Sequence, residues 1–232
     1  MSSSTHHEST ARGPDGRMVD RMLFFSDAVF AIVLTIMVLE LHAPLMNAKG
    51  AGHAQSAAAL WAALGGMGRT FFAYFLSFVI VGCWWSIHMR MTRALHRFDW
   101  RTAVANLVFI LTVTLIPFAA SLLGENIDNP AAWTVYWSVN AAASFSLTAM
   151  MIVISRDGGR MVGGMSGRQR IGRFIYSAGP GLGFVAGAWL AFDGYLDLSR
   201  WCWIIIFPLT GLARIVTGKD KPSAGATETI EA

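Results

Sequence analysis

One carboxylate, one histidine and a few hydrogen-bonding side chains are the residues of this chain whose types could do chemistry. Asp27 stands inside the apolar run Leu23 to Leu41, directly after Ser26. A carboxylate inside a membrane-length apolar run costs about 2.5 kcal/mol or more and calls for a partner. Arg21, the nearest charged residue in sequence, lies six positions away and does not share its helical face. Asp27 therefore looks to another helix. A second run ends Trp84-Trp85-Ser86-Ile87-His88 and a third carries Asn106. Trp85, His88 and Asn106 can each donate a hydrogen bond to a carboxylate. Two chemistries follow. A satisfied polar network of Ser26, Asp27, Trp85, His88 and Asn106 locks three helices together. Alternatively, Asp27 and His88 relay protons in a coupled secondary transporter. Catalysis lacks its parts: there is no His-x-x-x-His, no Gly-x-Ser-x-Gly and no cysteine–histidine pair at useful spacing. No metal site or cofactor is implied.

The elements that must position these residues are membrane helices. Of the 232 residues 54% are hydrophobic and 14% charged, against about 25% charged in soluble domains. Mean hydropathy is +0.49. The apolar residues form continuous blocks rather than the alternating strands of a barrel. The blocks are Leu23–Leu41, a run ending near His88 that begins as early as Ala57, Thr102–Leu123, Trp133–Ser155, Ile171–Phe192 and Trp201–Val216. The fifth carries Gly179, Gly181, Gly183, Gly187 and Pro180. Small residues of this kind permit close helix contact.

Charge sets the orientation. Fifteen of eighteen Lys and Arg fall in alternate segments: the start, the stretch from Arg90 to Arg101, that from Arg156 to Arg173, and the end. The opposite side holds Lys49, Arg69 and Arg200, with Glu125, Asp128, Asp193 and Asp197. The positive-inside rule then predicts an all-α membrane protein with six transmembrane helices and both termini cytoplasmic. The net charge of +4 reflects this topology, not a nucleic-acid partner. Residues 1–20 and 218–232 read as disordered cytoplasmic ends around a six-helix transmembrane unit, 21–217. The start holds no apolar core segment, so no signal peptide is expected. Cys83 and Cys202 lie in apolar runs and read as small hydrophobes. Trp84 and Trp85 suit an interfacial aromatic belt.

On the first run's helical wheel, Leu39, Ile36 and Thr35 lie about 20°, 40° and 60° from Ile32. The four make one apolar stripe with a single hydroxyl. Alone, that stripe is ordinary helix packing. Ser26 and Asp27 sit about 120° to 140° round on either side. Glu40 lies about 80° off the stripe.

Arg21-x-x-x-Phe25-Ser26-Asp27 followed by Ala-Val-Phe-Ala-Ile resembles the signature of the transmembrane protein 175 family of potassium channels. The likeness extends to Ser77-Phe78 and Trp85-x-x-His88, to Asn106 and to Leu115-Ile116-Pro117-Phe118. It implies a homotetramer in the plasma membrane of a prokaryote, conducting potassium passively with no cofactor. The first helices would line the pore, with the constriction at Ile32, Thr35, Ile36 and Leu39. Arg21, Phe25, Ser26, Asp27, Trp85, His88 and Asn106 would be the family motif and its helix-locking network. No Thr-Val-Gly-Tyr-Gly filter is present, so a carbonyl ring is not the selectivity device. A narrow apolar pore gated by dewetting is expected instead, with Thr35 replacing part of the ion's hydration and Glu40 concentrating cations at the outer mouth. Unbroken first, second and third runs and the lack of an internal repeat weigh against the transporter.

Overall fold

Every regular element is helical among the residues described by the computed structural model: 14–44, 53–93, 95, 97, 99–156, 167–202 and 204. Helix α1 spans Pro14–Ile36 and runs into one 3-10 turn, Met37–Glu40. Then come α2 (His53–Gly66), α3 (Gly68–Thr92), α4 (Trp100–Thr114), α5 (Ile116–Glu125), α6 (Pro130–Ile154), α7 (Gly167–Phe192) and α8 (Leu196–Arg200). Among the described residues five stretches are long and apolar enough to cross a membrane: Pro14–Glu40, Gly68–Thr92, Trp100–Glu125, Pro130–Ile154 and Arg170–Phe192. The expected sixth run lies outside the described residues except for Trp201, Cys202 and Ile204. Of the end expected at 1–20, residues 1–13 also lie outside them, as does all of 218–232.

Three boundaries differ from the sequence reading. First, α1 begins inside the stretch read as a disordered tail. Pro14 supplies the preset backbone of a first helical turn, and Asp15 meets the positive end of the helix dipole. Second, the second run is two helices. Three glycines flank Met67, whose backbone leaves the helical region at φ −77°, ψ 0°. Third, the stretch Trp100–Glu125 breaks between α4 and α5 at Leu115. Pro117 has no N–H to donate, and its ring would collide with the carbonyl four residues earlier. Leu115 N accordingly reaches only three residues back, to Thr112 O at 3.3 Å. The expectation that the first three runs are unbroken is therefore corrected.

Helix α6 is the centre of the packing, against α4, α5 and α7. Trp133, Tyr136 and Trp137 are all buried on it. Helix α7 comes close because glycine allows it: a Cβ on Gly181 would stand 2.8 Å from Ser144 Oγ, and one on Gly187 3.0 Å from the Trp137 ring. Ser144 uses that proximity to donate to Ser177 O at 2.7 Å. Trp137 Nε1 donates to Ser199 Oγ at 3.0 Å, and Ser199 donates to Gly187 O at 2.8 Å, which pins α8 to both helices. Trp84 is core rather than belt, 2% exposed, and its Nε1 reaches Asn140 Oδ1 at 3.4 Å.

Helix α1 sits at the margin, touching α3, α4 and α5. Its buried positions are Gly16, Val19, Ser26, Phe30 and Val33, and Met37 of the 3-10 turn continues them. The spacings of three, four and seven put all but the first on one stripe.

Candidate functional site

The buried stripe of α1 carries one polar side chain, Ser26, and the fold meets it with a directed chain of hydrogen bonds. His88 Nε2 on α3 donates to Asn106 Oδ1 on α4 at 2.8 Å. Asn106 Nδ2 donates to Ser26 Oγ at 2.9 Å. Ser26 Oγ donates back to Met22 O at 3.0 Å. This order requires the Nε2–H form of the imidazole, because the Asn106 oxygen can only accept. Phe109 lies against the His88 ring at 5.5 Å and 16°, and Phe30 stands about equally far from both rings. Thr92 Oγ1 donates to His88 O at 2.8 Å. Ser26, His88 and Asn106 are all buried, so each satisfied bond matters more than it would in water.

Asp27 is not part of that chain. It lies 100° round the helix from Ser26 and is exposed in the single subunit. Trp85 Nε1 donates to its Oδ1 at 3.0 Å, and Trp85 is itself partly exposed. The expected single network is thus two: a buried Ser26–Asn106–His88 relay and an exposed Asp27–Trp85 pair. Asp27 and His88 are bonded to different partners, and no direct hydrogen bond joins them among the described residues.

Arg21 and Phe25 also lie outside the buried chain, both exposed. On the wheel they fall about 20° to either side of Ile32. They extend the stripe that carries Ile32, Thr35, Ile36 and Leu39, every one of which is exposed. The sequence reading missed this extension because it began its stripe at Ile32. The signal was there in the periodicity: 21, 25, 32, 36 and 39 step by four, seven, four and three, with Ala28 in the gap.

Two features of the stripe bear on ions. Thr35 Oγ1 is 2.9 Å from both Ala31 O and Ile32 O. Its proton is committed to its own helix, so the face it turns outward is an acceptor. The 3-10 turn changes the end of the stripe. At three residues per turn, Leu39 stands directly over Ile36 and Glu40 directly over Met37. Glu40 accordingly lines a small cleft with Met37, Thr70, Tyr74, Pro117 and Ser121, away from the stripe. Glu40, the carboxylate expected to concentrate cations at the outer mouth, lies off the stripe in this winding.

At the opposite end from His88, Asp128 is held by Arg69 at 2.6 Å and by Arg200 at 2.9 Å. Among the described residues no group of three or more His, Cys, Asp or Glu is placed to hold a metal ion.

Residues 21–117 match the family model described as the endosomal/lysosomal potassium channel TMEM175. A potassium channel of Streptomyces collinus is 29% identical over 135 residues, which cover 58% of this chain and 59% of that protein. A potassium channel of Chamaesiphon minutus is 29% identical over 184 residues, 75% of this chain and 85% of that one. The chain spans about three fifths of the length of the first curated relatives it matches. The crystal structure of a lysosomal potassium-selective channel TMEM175 homolog from Chamaesiphon minutus superposes with a TM-score of 0.67. It covers 85% of this chain and 98% of that chain at 21% identity, a likeness of fold.

Proposed function

From the premise that this chain belongs to the transmembrane protein 175 family, we propose that four copies surround a pore that conducts potassium passively across a prokaryotic plasma membrane. Each subunit crosses six times, with both termini in the cytoplasm, and contributes α1 to the pore wall. The observation that carries this reading is the exposure of α1. Only 22% of its most apolar stretch is buried within the subunit, against 33% to 56% for the other four spans. A helix so uncovered, with one hydroxyl in an apolar stripe, suits a shared axis better than a packed core.

Ile32, Ile36 and Leu39 form the narrow apolar constriction, which gates by losing its water. Thr35 supplies the only polar ring of the stripe between them. Its outward acceptor face favours a partly dehydrated cation and disfavours an anion. Selectivity over sodium is modest, because four hydroxyls give a weaker field than stacked carbonyls. The Ser26–Asn106–His88 chain holds α1 against α3 and α4 and fixes which face meets the axis. Asp27 and Trp85 do the same from the side. Catalysis and a cofactor have no place in this reading, and the likeness to potassium channels favours it over a proton-coupled transporter using Asp27 and His88.

The test is potassium flux into liposomes holding the purified protein, driven by a potassium gradient with no pH gradient. Flux is expected, reduced when sodium replaces potassium. Thr35→Ala is expected to bring the potassium and sodium fluxes closer together. Flux that starts only when a pH gradient is imposed would overturn passive conduction. A Thr35→Ala protein with unchanged selectivity would remove Thr35 from the filter.

A further inference from the structure

We propose that Arg21, seconded by Arg17, forms a ring of fixed positive charge at the inner mouth of the pore. The ring makes potassium conduction asymmetric, easier into the cytoplasm than out of it. The inference rests on the reading that four copies of α1 line the pore with their first residues in the cytoplasm, and adds an electrostatic barrier to it.

The placement follows from the helix. From Pro14 to Ile36 α1 is wound as α-helix, so one wheel describes both its ends. With Ile32 at zero, Arg21 falls about 20° away and Arg17 about 60° on the same side. The acids of the helix fall elsewhere. Asp20 and Asp27 lie about 120° and 140° round on that side, and Asp15 about 100° on the other. Charge on α1 is therefore sorted by face, with the basic residues beside the stripe and the acidic ones behind it. Arg17 and Arg21 are both exposed in the single subunit. Neither makes an ion pair among the described residues; the pairs there are those of Arg69 and Arg200, at the opposite end of the fold. Asp27 is engaged instead by Trp85. From Ile32 outward the stripe reads Ile32, Thr35, Ile36 and Leu39, with no charge. Its wall is cationic at one end and neutral at the other.

A guanidinium stays charged at any working pH, so the ring is permanent. Eleven residues separate Arg21 from Ile32, about 16 Å along the axis. Helical side chains lean toward the N-terminus, which carries the guanidinium further inward. That separation exceeds the Debye length of about 10 Å at 0.1 M salt. The ring accordingly leaves the constriction alone and acts on the vestibule in front of it. Each kT of positive potential there lowers the local cation concentration about threefold. Ions leaving the cytoplasm start from that depleted vestibule, whereas ions coming from outside meet the uncharged end first. Potassium and sodium carry the same charge and are depleted alike. The ring therefore sets rate and direction, and the choice between the two ions stays with the constriction.

The experiment records currents from inside-out patches of cells producing the full chain, with equal KCl on both sides. At about 0.1 M KCl the outward current is expected to be smaller than the inward one by about twofold or more, and at about 1 M, where the Debye length is about 3 Å, the two should converge. Arg21→Lys is expected to keep the asymmetry, Arg21→Gln to remove most of it and Arg21→Glu to reverse it, all with an unchanged potassium-to-sodium ratio. Arg17→Gln, further from the stripe, should shift it the same way but less. Symmetric wild-type currents at the lower salt would overturn the ring. So would an asymmetry that salt leaves unchanged, or one that Arg21→Lys abolishes as fully as Arg21→Gln, since Arg21 would then act through a contact and not through its charge. Ile32→Cys in a Cys83→Ser, Cys202→Ser background keeps the premise separate. If a thiol-reactive cation fails to block that variant, α1 is not the pore wall and both readings fall; if it blocks while the currents are symmetric, only the ring falls.

Discussion

Helices α1 and α6 are near equals in length and both are apolar, yet the fold treats them oppositely. Helix α6 has 56% of its most apolar stretch buried, and α1 has 22%. Every large aromatic of α6 near Trp137 is enclosed, while α1 leaves Phe24, Phe25, Ile32, Ile36 and Leu39 open. Apolar composition alone therefore says that a segment belongs in a membrane, and not what it faces there. On α6, Tyr136, Trp137, Asn140 and Ser144 point inward and are tied to neighbouring helices. On α1, one stripe is tied down by Ser26 and Phe30, and the other is free for a second subunit, lipid or ions.

The sharpest way to break this comparison is to substitute neighbours on one helix. Phe30→Ala empties a site enclosed by His88 and Phe109 and is expected to cost about 3–5 kcal/mol. Ile32→Ala, two residues on, removes no enclosed contact within the subunit and is expected to cost under about 1 kcal/mol. Thermal unfolding of the purified protein in detergent reads both. Flux separates them in kind: Ile32→Ala is expected to conduct more, having lost part of an apolar constriction. Equal destabilisation by the two would mean that the Ile32 face is packed in the assembly.

The matching test on the packed side is Gly187→Leu. Its side chain must enter the space of the Trp137 ring, 3.0 Å from a mere Cβ. The expected cost is about 3 kcal/mol, the upper range for overpacking. Gly82 lies on α3 with no heavy atom within 4 Å of a built Cβ, and Gly82→Ala is expected to be neutral or slightly stabilising. The pair shows whether close approach, rather than glycine as such, is what α7 requires.

How much of this was legible in the sequence can be argued from particular residues. The five described spans follow from apolar runs, since hydropathy depends only on composition. The break at Leu115 follows from Pro117 and was missed because proline is tolerated in membrane helices, as Pro180 inside α7 shows. The 3-10 turn had no local signal, because the burial of Met37 against distant helices sets it. In the site, Ser26 and Asp27 were read into one polar network. Their 100° separation is enough to send one into the core and leave the other at the surface. The wheel angle of Glu40 changes for the same reason as the turn: a wheel drawn at about 100° per residue fails once the helix tightens.

The buried relay can be weighed against its exposed neighbour next. Asn106→Leu leaves His88 Nε2 and Ser26 Oγ without the partner that joins them, and is expected to cost about 2–4 kcal/mol. Ser26→Ala in the Asn106→Leu background should then cost less than it does alone, because the two act through one chain. Full additivity would show that the hydrogen bonds work separately. Trp85→Phe removes only an exposed bond to Asp27 and is expected to cost about 1 kcal/mol or less.

The smallest effect is expected at the ionic cluster at the other end, and it divides the cluster in two. Arg69 and Asp128 have side chains 66% and 61% exposed, so their close contact is made in water. An exposed pair contributes about 0–1 kcal/mol and weakens with salt. Arg200 is 32% exposed and does more. Its Nη2 donates to Ile127 O at 3.2 Å as well as to Asp128, so it joins the α5–α6 connection to α8 through a backbone group. Arg69→Gln should therefore shift the unfolding temperature little, with the shift vanishing at high salt. Arg200→Gln should shift it more, by the equivalent of about 1–2 kcal/mol, and should keep most of that shift at high salt because the carbonyl contact is not an ion pair. If salt erases both equally, Arg200 acts as a surface charge like Arg69, and α8 is held by Ser199 and Trp137 alone.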